Sequence, residues 1–566
     1  MSDRRGRITF VLVAVVADEV GGGVLQPLDP TGRPAGPAEV VTDLAAAVAA
    51  RERDGHPRWV WASGATVYPA LLRAGARVER CHDVELTEAL LLGHAGRWGE
   101  PRSFAAAWAR LTGAPVPADP PPRPAAPPGH GQDALFDAPS GSPGPGIEAL
   151  TRVYADQLAR IATTEHPGRF RLLVAAESAG ALIAVEMGAA GLPWRVDVHD
   201  ALLADLLGEP SPVGGPPRRL AELAGRIAEA LGVRQVHADS PAELVRAFAR
   251  AGVEVPNTRA WVLRGVDHPA VPLVLEYKEL YRIWTAHGWA WRDAWVSDGR
   301  FQPEYVPGGV VSGRWATRGG GALQIPKVIR RAVVADPGWR FVVADAGQLE
   351  PRVLAAVSGD ARLAAAGGAG DLYAALAKDA FGGDRPRAKV ALLGAMYGQT
   401  GGAAVPALAV LRSNYPTAFA YVEAAARTGE AGGLVRSWLG RTCPPGTAGF
   451  GDEGEGDGGG GDPQSPRARA ARSRGRFTRN FVIQATAAEW ASTLLATLRG
   501  ELAGTGAELV FFQHDEVMVH CPAEQAEAVA EAVGRSGERA SALLFGDTPV
   551  RFPLDVSVVE SYADAA

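Results

Sequence analysis

Cysteine is nearly absent from this chain. Only Cys81, Cys443 and Cys521 occur in 566 residues, widely scattered and without a CxxC pair. That excludes a disulfide framework and a cysteine zinc site, and it points to a reducing, cytoplasmic compartment. Lysine is also scarce, while Ala, Gly and Arg abound, a bias that reads as genomic base composition rather than function. No apolar run approaches membrane-spanning length, so no membrane association is expected. No signal peptide is expected either. MSDRRGR followed by ITFVLVAVVA has the right opening, but Asp18 and Glu19 follow at once and no cleavage pattern is present, so an opening β-strand is the better reading. The net charge of −6 gives no support for nucleic-acid binding, yet a basic groove can coexist with an acidic outer surface. What remains, 47% hydrophobic and 21% charged residues over 566 positions, fits a globular protein of several domains.

The chain divides by composition. Residues 1–116 mix strand-like runs (ITFVLVAVVA, RWVWAS) with Ala-rich helical stretches. A Pro/Gly/Ser-rich segment over 115–146 reads as a linker, assigned here as 117–146. From Ile147 to about 285 the periodicity is helical. RFVVAD (340–345) reads as a strand, and helices are expected from about 350 to 440. A second low-complexity segment, 449–476, carries five acids and then arginines, and is expected to be a mobile loop. A long helix, a strand pair, another helix and a final strand (RFPLDVSVVE) close the chain.

The strand pair is FFQHDEVMVH, 511–520, in which His514, Asp515 and Glu516 interrupt two apolar runs. By itself this is a hairpin with a polar tip or half of a metal site. RFVVAD also ends a strand with a carboxylate, Asp345. If the two strands share a sheet, Asp345 and Asp515 could converge, and such a pair repels unless a divalent cation sits between. Hard oxygen ligands favour Mg²⁺ or Mn²⁺, and two such ions support phosphoryl transfer. Between them DRPRAKVALLGAMYGQT (384–400) reads as a helix, with Asp384 as N-cap and Pro386 in the first turn. Arg385, Lys389, Leu393 and Tyr397 recur every four residues, along one face that drifts by about 40° per step. Two cations followed by a flat region make a surface for a triphosphate and a base, or a solvated helix face.

Taken together, these stretches resemble family A DNA polymerases, the group of bacterial DNA polymerase I. DAGQLEPR (345–352) resembles motif A, RPRAKVALLGAMYG (385–398) motif B, and HDE (514–516) motif C, in the family's order. SGRWAT (312–317), ALQIP (322–326) and RNFVIQATAAE (479–489) resemble flanking segments, so the likeness covers roughly 170–566. It implies an α+β, multidomain right-hand polymerase with a small α/β exonuclease-like domain at 1–116. The polymerase region would span 147–566: thumb about 177–260, palm about 261–360 and 500–566, fingers about 361–499.

The resemblance also implies roles. Asp345 and Asp515 would hold two Mg²⁺ ions, with Mn²⁺ as a substitute and Glu516 in support. Arg385 and Lys389 would contact the triphosphate, and Lys389 could protonate the leaving group. Gln348, Leu393 and Tyr397 would complete the nucleotide site, and Glu350 under the sugar would leave no room for a 2′-hydroxyl. Arg314, Arg476, Asn480, Gln484 and His514 would contact template or primer, partly at minor-groove acceptors common to all base pairs. The implied partners are primer–template DNA and dNTPs, for a monomer associated with the nucleoid in repair or replication. The chain departs from the pattern in Ala346-Gly347, Pro351 and Leu393, which bear on rate and sugar discrimination but remove no ligand.

A 3′–5′ exonuclease needs about four carboxylates, including an Asp-x-Glu on a strand. Residues 1–116 are short for that, and only Asp83-Val84-Glu85 has the spacing. Asp83 is expected to cap a helix instead, leaving a degenerate scaffold. In the basic run, Arg467–Arg474 read as a charge-balanced loop and Arg476 as a DNA contact. The alternatives to an active polymerase are a non-catalytic DNA-binding protein on a decayed polymerase fold and a polymerase that also proofreads.

Overall fold

The computed structural model describes residues 12–121, 145–210, 214–368, 370–398, 404–445 and 466–565. The first domain is built on a five-stranded sheet: β1 (Leu12–Ala17), β2 (Gly23–Leu28), β3 (Glu39–Val41), β4 (Arg58–Trp61) and β5 (Arg80–Asp83), in the order β3-β2-β1-β4-β5. β1 pairs antiparallel with β2 and parallel with β4. Its sequence LVAVVA is a continuous apolar run because both faces are covered. Val13 and Val15 join Trp59, Trp61 and Tyr68 on one side, while Leu12 and Ala14 join Val60, Phe104 and Leu150 on the other. That is the period-two alternation of a strand.

The carboxylates of this domain are engaged by backbone amides. Asp18 accepts from the N–H groups of Val20 and Gly22 in the first hairpin. Asp83 ends β5 and caps α1 (Val84–His94), accepting from Leu86 N at 2.9 Å and Gly64 N at 2.6 Å. Burial pushes its carboxyl up to about 6 despite these amides. Glu85 accepts from Phe104 N at 3.1 Å. The cap expected at Asp83 is the observed geometry. Of the linker, 122–144 lies outside the described residues.

Helix α2 (Pro167–Ala190) departs from the sequence reading: it is long and apolar enough, by length and composition, to cross a membrane. Most of it is buried inside the protein, against β5 on one side and the C-terminal region on the other. Its two acids are both paired. Glu177 meets Arg441, and Glu186 accepts from Arg499, Arg77 and Tyr68, so the helix ties the two halves of the chain together.

The C-terminal half centres on a four-stranded antiparallel sheet. β6 (Trp339–Ala346) lies between β8 (Glu516–Pro522) and β9 (Leu554–Val559), with β7 (Glu508–Gln513) outside β8. Helices α3 (Leu349–Val357), α4 (Leu372–Ala380), α5 (Arg385–Tyr397) and α6 (Pro416–Glu430) follow β6. Asp384 caps α5 through Arg387 N, and Pro386 stands in its first turn, as expected. Pro351 is the third residue of α3, where a missing N–H leaves no hydrogen bond broken. The long helix α7 (Pro466–Glu501) packs on α6 and on α8 (Ala526–Phe545).

One expectation is corrected here. Residues 466–476 belong to α7 and are not loop; the earlier part of the expected loop, up to 465, lies outside the described residues. Arg474 is buried and donates to Pro444 O at 2.5 Å. Ala468, Ala470 and Ala471 between the arginines favour helix, and α7 continues into a buried apolar stretch that stabilises it.

Candidate active site

Three carboxylates lie in one row across the sheet. In register, Asp345 of β6 is opposite Glu516 of β8 and opposite Asp555 of β9. Directly opposed residues of antiparallel strands project to the same face. Asp515 stands in the turn just before Glu516, and Ala346 N donates to its carbonyl at 3.1 Å, tying the turn to the end of β6. His514 takes a left-handed conformation (φ 58°), which lets a two-residue turn join β7 and β8. Both readings of the tripeptide therefore hold: it is a hairpin tip, and it brings a carboxylate to Asp345.

The crowding has electrostatic consequences. Burial, and then the neighbouring Asp345 charge, push Asp515 up to about 6. Burial and Asp555 push Asp345 upward. Glu516 is raised by burial, offset in part by Arg330 at 3.9 Å. A divalent cation between Asp345 and Asp515 would relieve this repulsion, and an all-oxygen donor set suits Mg²⁺ or Mn²⁺.

Asp345 and Asp515 face a cavity of about 380 Å³ lined also by Arg314, Gln348, Glu350, Tyr397, Ala487, Ala488 and His514, among others. Glu350, in the first turn of α3, bridges its walls. Arg314 Nη2 donates to its Oε1 at 2.7 Å, and Tyr397 OH donates to its Oε2 at 2.6 Å. Desolvation and the Glu350 charge raise the Tyr397 hydroxyl pKa, so it remains the donor. On α5, Arg385 and Lys389 are exposed, Leu393 is half-buried and Tyr397 is exposed, so the expected face reaches the cavity at its Tyr397 end. Arg476, Asn480 and Gln484 recur every four residues on one face of α7, leading toward Ala487 and Ala488. Arg476 packs against Gly398, the left-handed residue (φ 69°) that ends α5. Asn480 Oδ1 is buried and has no hydrogen-bond partner among the described residues.

Of the predicted site residues, Arg314, Asp345, Gln348, Glu350, Tyr397, His514 and Asp515 line this cavity, whereas Arg385, Lys389, Leu393, Arg476, Asn480, Gln484 and Glu516 do not. Sequence reasoning missed Asp371, which accepts from Gln348 and Arg385, and Asp555, which completes the carboxylate row. It missed Ala487 and Ala488 because alanine carries no chemical signal. Asp555 follows an apolar residue in a strand-like run, as Asp345 does, but only the register places the two together. A larger cavity of about 660 Å³ lies at the other end of β6, lined by Trp194, Arg195, Arg300, Asp336 and Arg340. Its arginines are paired with Asp197, Asp336 and Glu560, and it is remote from the carboxylate row.

Comparison with known proteins agrees with this geometry. The family model for DNA polymerase family A matches residues 217–564, more than half of the chain. The chain is 29% identical over 314 residues to the thermostable DNA polymerase I of Thermus filiformis, covering 52% of this chain and 36% of that protein. It is 28% identical over 322 residues to its counterpart from Thermus aquaticus, covering 53% and 37%. The chain therefore matches little more than a third of the length of these relatives. The fold is that of the POL domain of Pol1 from M. smegmatis, solved with DNA primer-template and dNTP, with a TM-score of 0.68 at 17% identity over 98% of this chain and 96% of the other. With the three motifs meeting at one cavity and the family match spanning the whole of that region, the chain belongs to DNA polymerase family A.

Proposed function

We propose that this chain is a template-directed DNA polymerase that adds dNTPs to a primer 3′-hydroxyl. The observation that carries the reading is the meeting of Asp345 and Asp515, distant in sequence, at one sheet end beside a cavity bounded by Glu350, Arg314 and Tyr397. Asp345 and Asp515 would hold two Mg²⁺ ions, with Glu516 behind them, and Mn²⁺ suits the same oxygens. When bound, such ions acidify the attacking hydroxyl and neutralise charge developing on the phosphate.

The chain's own residues supply the rest. Arg385 and Lys389 bind the triphosphate, and Lys389 gives a proton to the leaving pyrophosphate. Glu350, fixed from two sides by Arg314 and Tyr397, is a rigid wall against a 2′-hydroxyl. Leu393 and Gln348 line the approach of the nucleotide. Arg476, Asn480, Gln484, Arg314 and His514 hold the primer–template, and Asn480 Oδ1, which has no partner among the described residues, can accept from it. The N-terminal domain is read as a non-catalytic scaffold, since Asp18, Asp83 and Glu85 are engaged by backbone amides. The chain would act as a monomer on DNA in the cytoplasm, with residues about 177–260 as thumb, about 261–360 and 500–566 as palm and about 361–499 as fingers.

Primer extension with Mg²⁺ and dNTPs, wild type beside Asp515→Ala, tests the reading. Extension by wild type alone is expected. No extension by wild type sinks the polymerase reading, and binding of primer–template without extension would favour a decayed fold. Equal extension by the variant sinks the site assignment. Degradation of a 3′-mismatched primer without dNTPs would overturn the reading of the N-terminal domain.

A further inference from the structure

Arg385 opens α5, at the rim of the proposed triphosphate site, and its guanidinium is already held. Its Nε donates to Asp371 Oδ2 at 2.7 Å, and its Cζ lies 5.7 Å from the centroid of the Tyr373 ring. Its Nη atoms make no hydrogen bond among the described residues. Asp371 is itself fixed. As N-cap of α4 its Oδ1 accepts from Ala374 N at 3.0 Å and from Gln348 Nε2 at 2.9 Å. Gln348 closes the loop by accepting from Leu372 N at 2.9 Å, from a left-handed backbone (φ 59°) at the start of α3. One carboxylate thus joins the starts of three helices: α3 through Gln348, α4 through its own cap, and α5 through Arg385. Burial alone would raise its pKa, but Arg385, the Ala374 amide and Gln348 outweigh that and hold it at about 2. It stays charged throughout any working pH.

We infer that Asp371 is a positioning residue for nucleotide binding: it fixes Arg385 by the Nε edge, so that both Nη atoms are presented to the phosphate oxygens of an incoming dNTP, and it locks that cation to the catalytic strand end through Gln348. The inference rests on the polymerase reading above. An arginine held by one edge loses less rotamer freedom when its other edge binds phosphate, so the gain falls on substrate affinity rather than on chemistry.

The test is Asp371→Asn, which keeps a cap acceptor but loses the charge that holds Arg385. Affinity is read by titrating dNTP onto wild type or variant with a dideoxy-terminated primer–template, and KM and kcat come from extension of an ordinary primer. Asp371→Asn should raise both dNTP Kd and KM about three- to tenfold, the range for one exposed charge-assisted contact, with kcat changed less than about twofold. Asp371→Glu, which keeps the charge, should recover part of the loss. In an Arg385→Ala background the Asn substitution should add nothing, because its effect passes through Arg385. An unchanged Kd, a fall in kcat without a change in KM, or an equal loss in the Arg385→Ala background overturns the inference. Wild type that extends primers beside an indifferent Asp371→Asn sinks this inference alone; wild type that binds no dNTP sinks both.

Discussion

Asp515→Asn separates the two consequences of crowding carboxylates at the end of β6. Asp515 is pushed to about 6, against an ordinary value of 3.8, by burial and by Asp345. The unfolded chain loses this proton near 3.8, while the folded chain keeps it until about 6. Folding is therefore favoured below the lower value, loses stability as pH rises between the two, and carries the full penalty above about 6. Two pH units correspond to about 3 kcal/mol. The turn is reached by solvent, which screens the repulsion, so ~1–2 kcal/mol is expected. Asn keeps the shape and removes the charge. In EDTA at pH 8 the variant should melt higher than wild type by a few degrees at most, at about 1–2 °C per kcal/mol for a chain this long. The gain should vanish at pH 4. Mg²⁺ should raise the midpoint of wild type far more than that of the variant, and this effect should fade as pH drops through about 6, where Asp515 takes up a proton. Extension should fall by at least ~100-fold. A variant less stable than wild type in EDTA at pH 8, or a gain that persists at pH 4, would refute the placement of Asp515 against Asp345. A site strained without its ligand and relaxed with it is a common trade of stability for function.

Further outcomes follow from other contacts. Glu350→Ala should raise the ratio of ribo- to deoxyribonucleotide incorporation at least ~10-fold in kcat/KM, since it removes the wall and frees Arg314 and Tyr397. Arg476→Ala should weaken primer–template binding and reduce the slope of log K against log salt by about one, with no change in base preference. Asp83→Ala should lower the urea midpoint, at a cost of about 2–4 kcal/mol for two buried amides left without acceptors, and leave 3′-end degradation unchanged. Arg499 is buried and donates to Glu186 and to the carbonyls of Val78 and Glu79, so Arg499→Ala should cost about 3–5 kcal/mol and expose the N-terminal domain to limited proteolysis.

Much of the architecture was legible because local chemistry and tertiary contacts agree. RFVVAD and FFQHDEVMVH read as strands and are strands; Asp384-Arg385-Pro386 reads as a helix start and is one. Two errors have the same physical root. By charge the arginine-rich stretch from 466 reads as a loop, but it continues a helix whose apolar C-terminal part is buried along α6 and α8. The charges within 167–190 break the apolar run of the linear sequence, but in the fold each of its two acids finds a buried arginine. Propensity and composition are local, whereas burial is decided by what lies across the interface.

Which residues carry chemistry is legible from residue type and spacing alone: the carboxylates at two strand ends, the cation pair on one helix face and the order of three motifs. Those are properties of residue type and spacing, set by strand and helix periods. What each does to the others depends on the folded arrangement. The register of β6 against β8 and β9 put Asp345, Glu516 and Asp555 in one row, and folding brought Arg314 and the end of α5 to Glu350, which accepts from Arg314 and Tyr397. Asp371, which looks in sequence like any helix cap, became the group that holds Arg385. Electrostatic coupling falls with distance in space and is blind to distance along the chain, so perturbed carboxylates and a preset arginine appear only once the chain has folded.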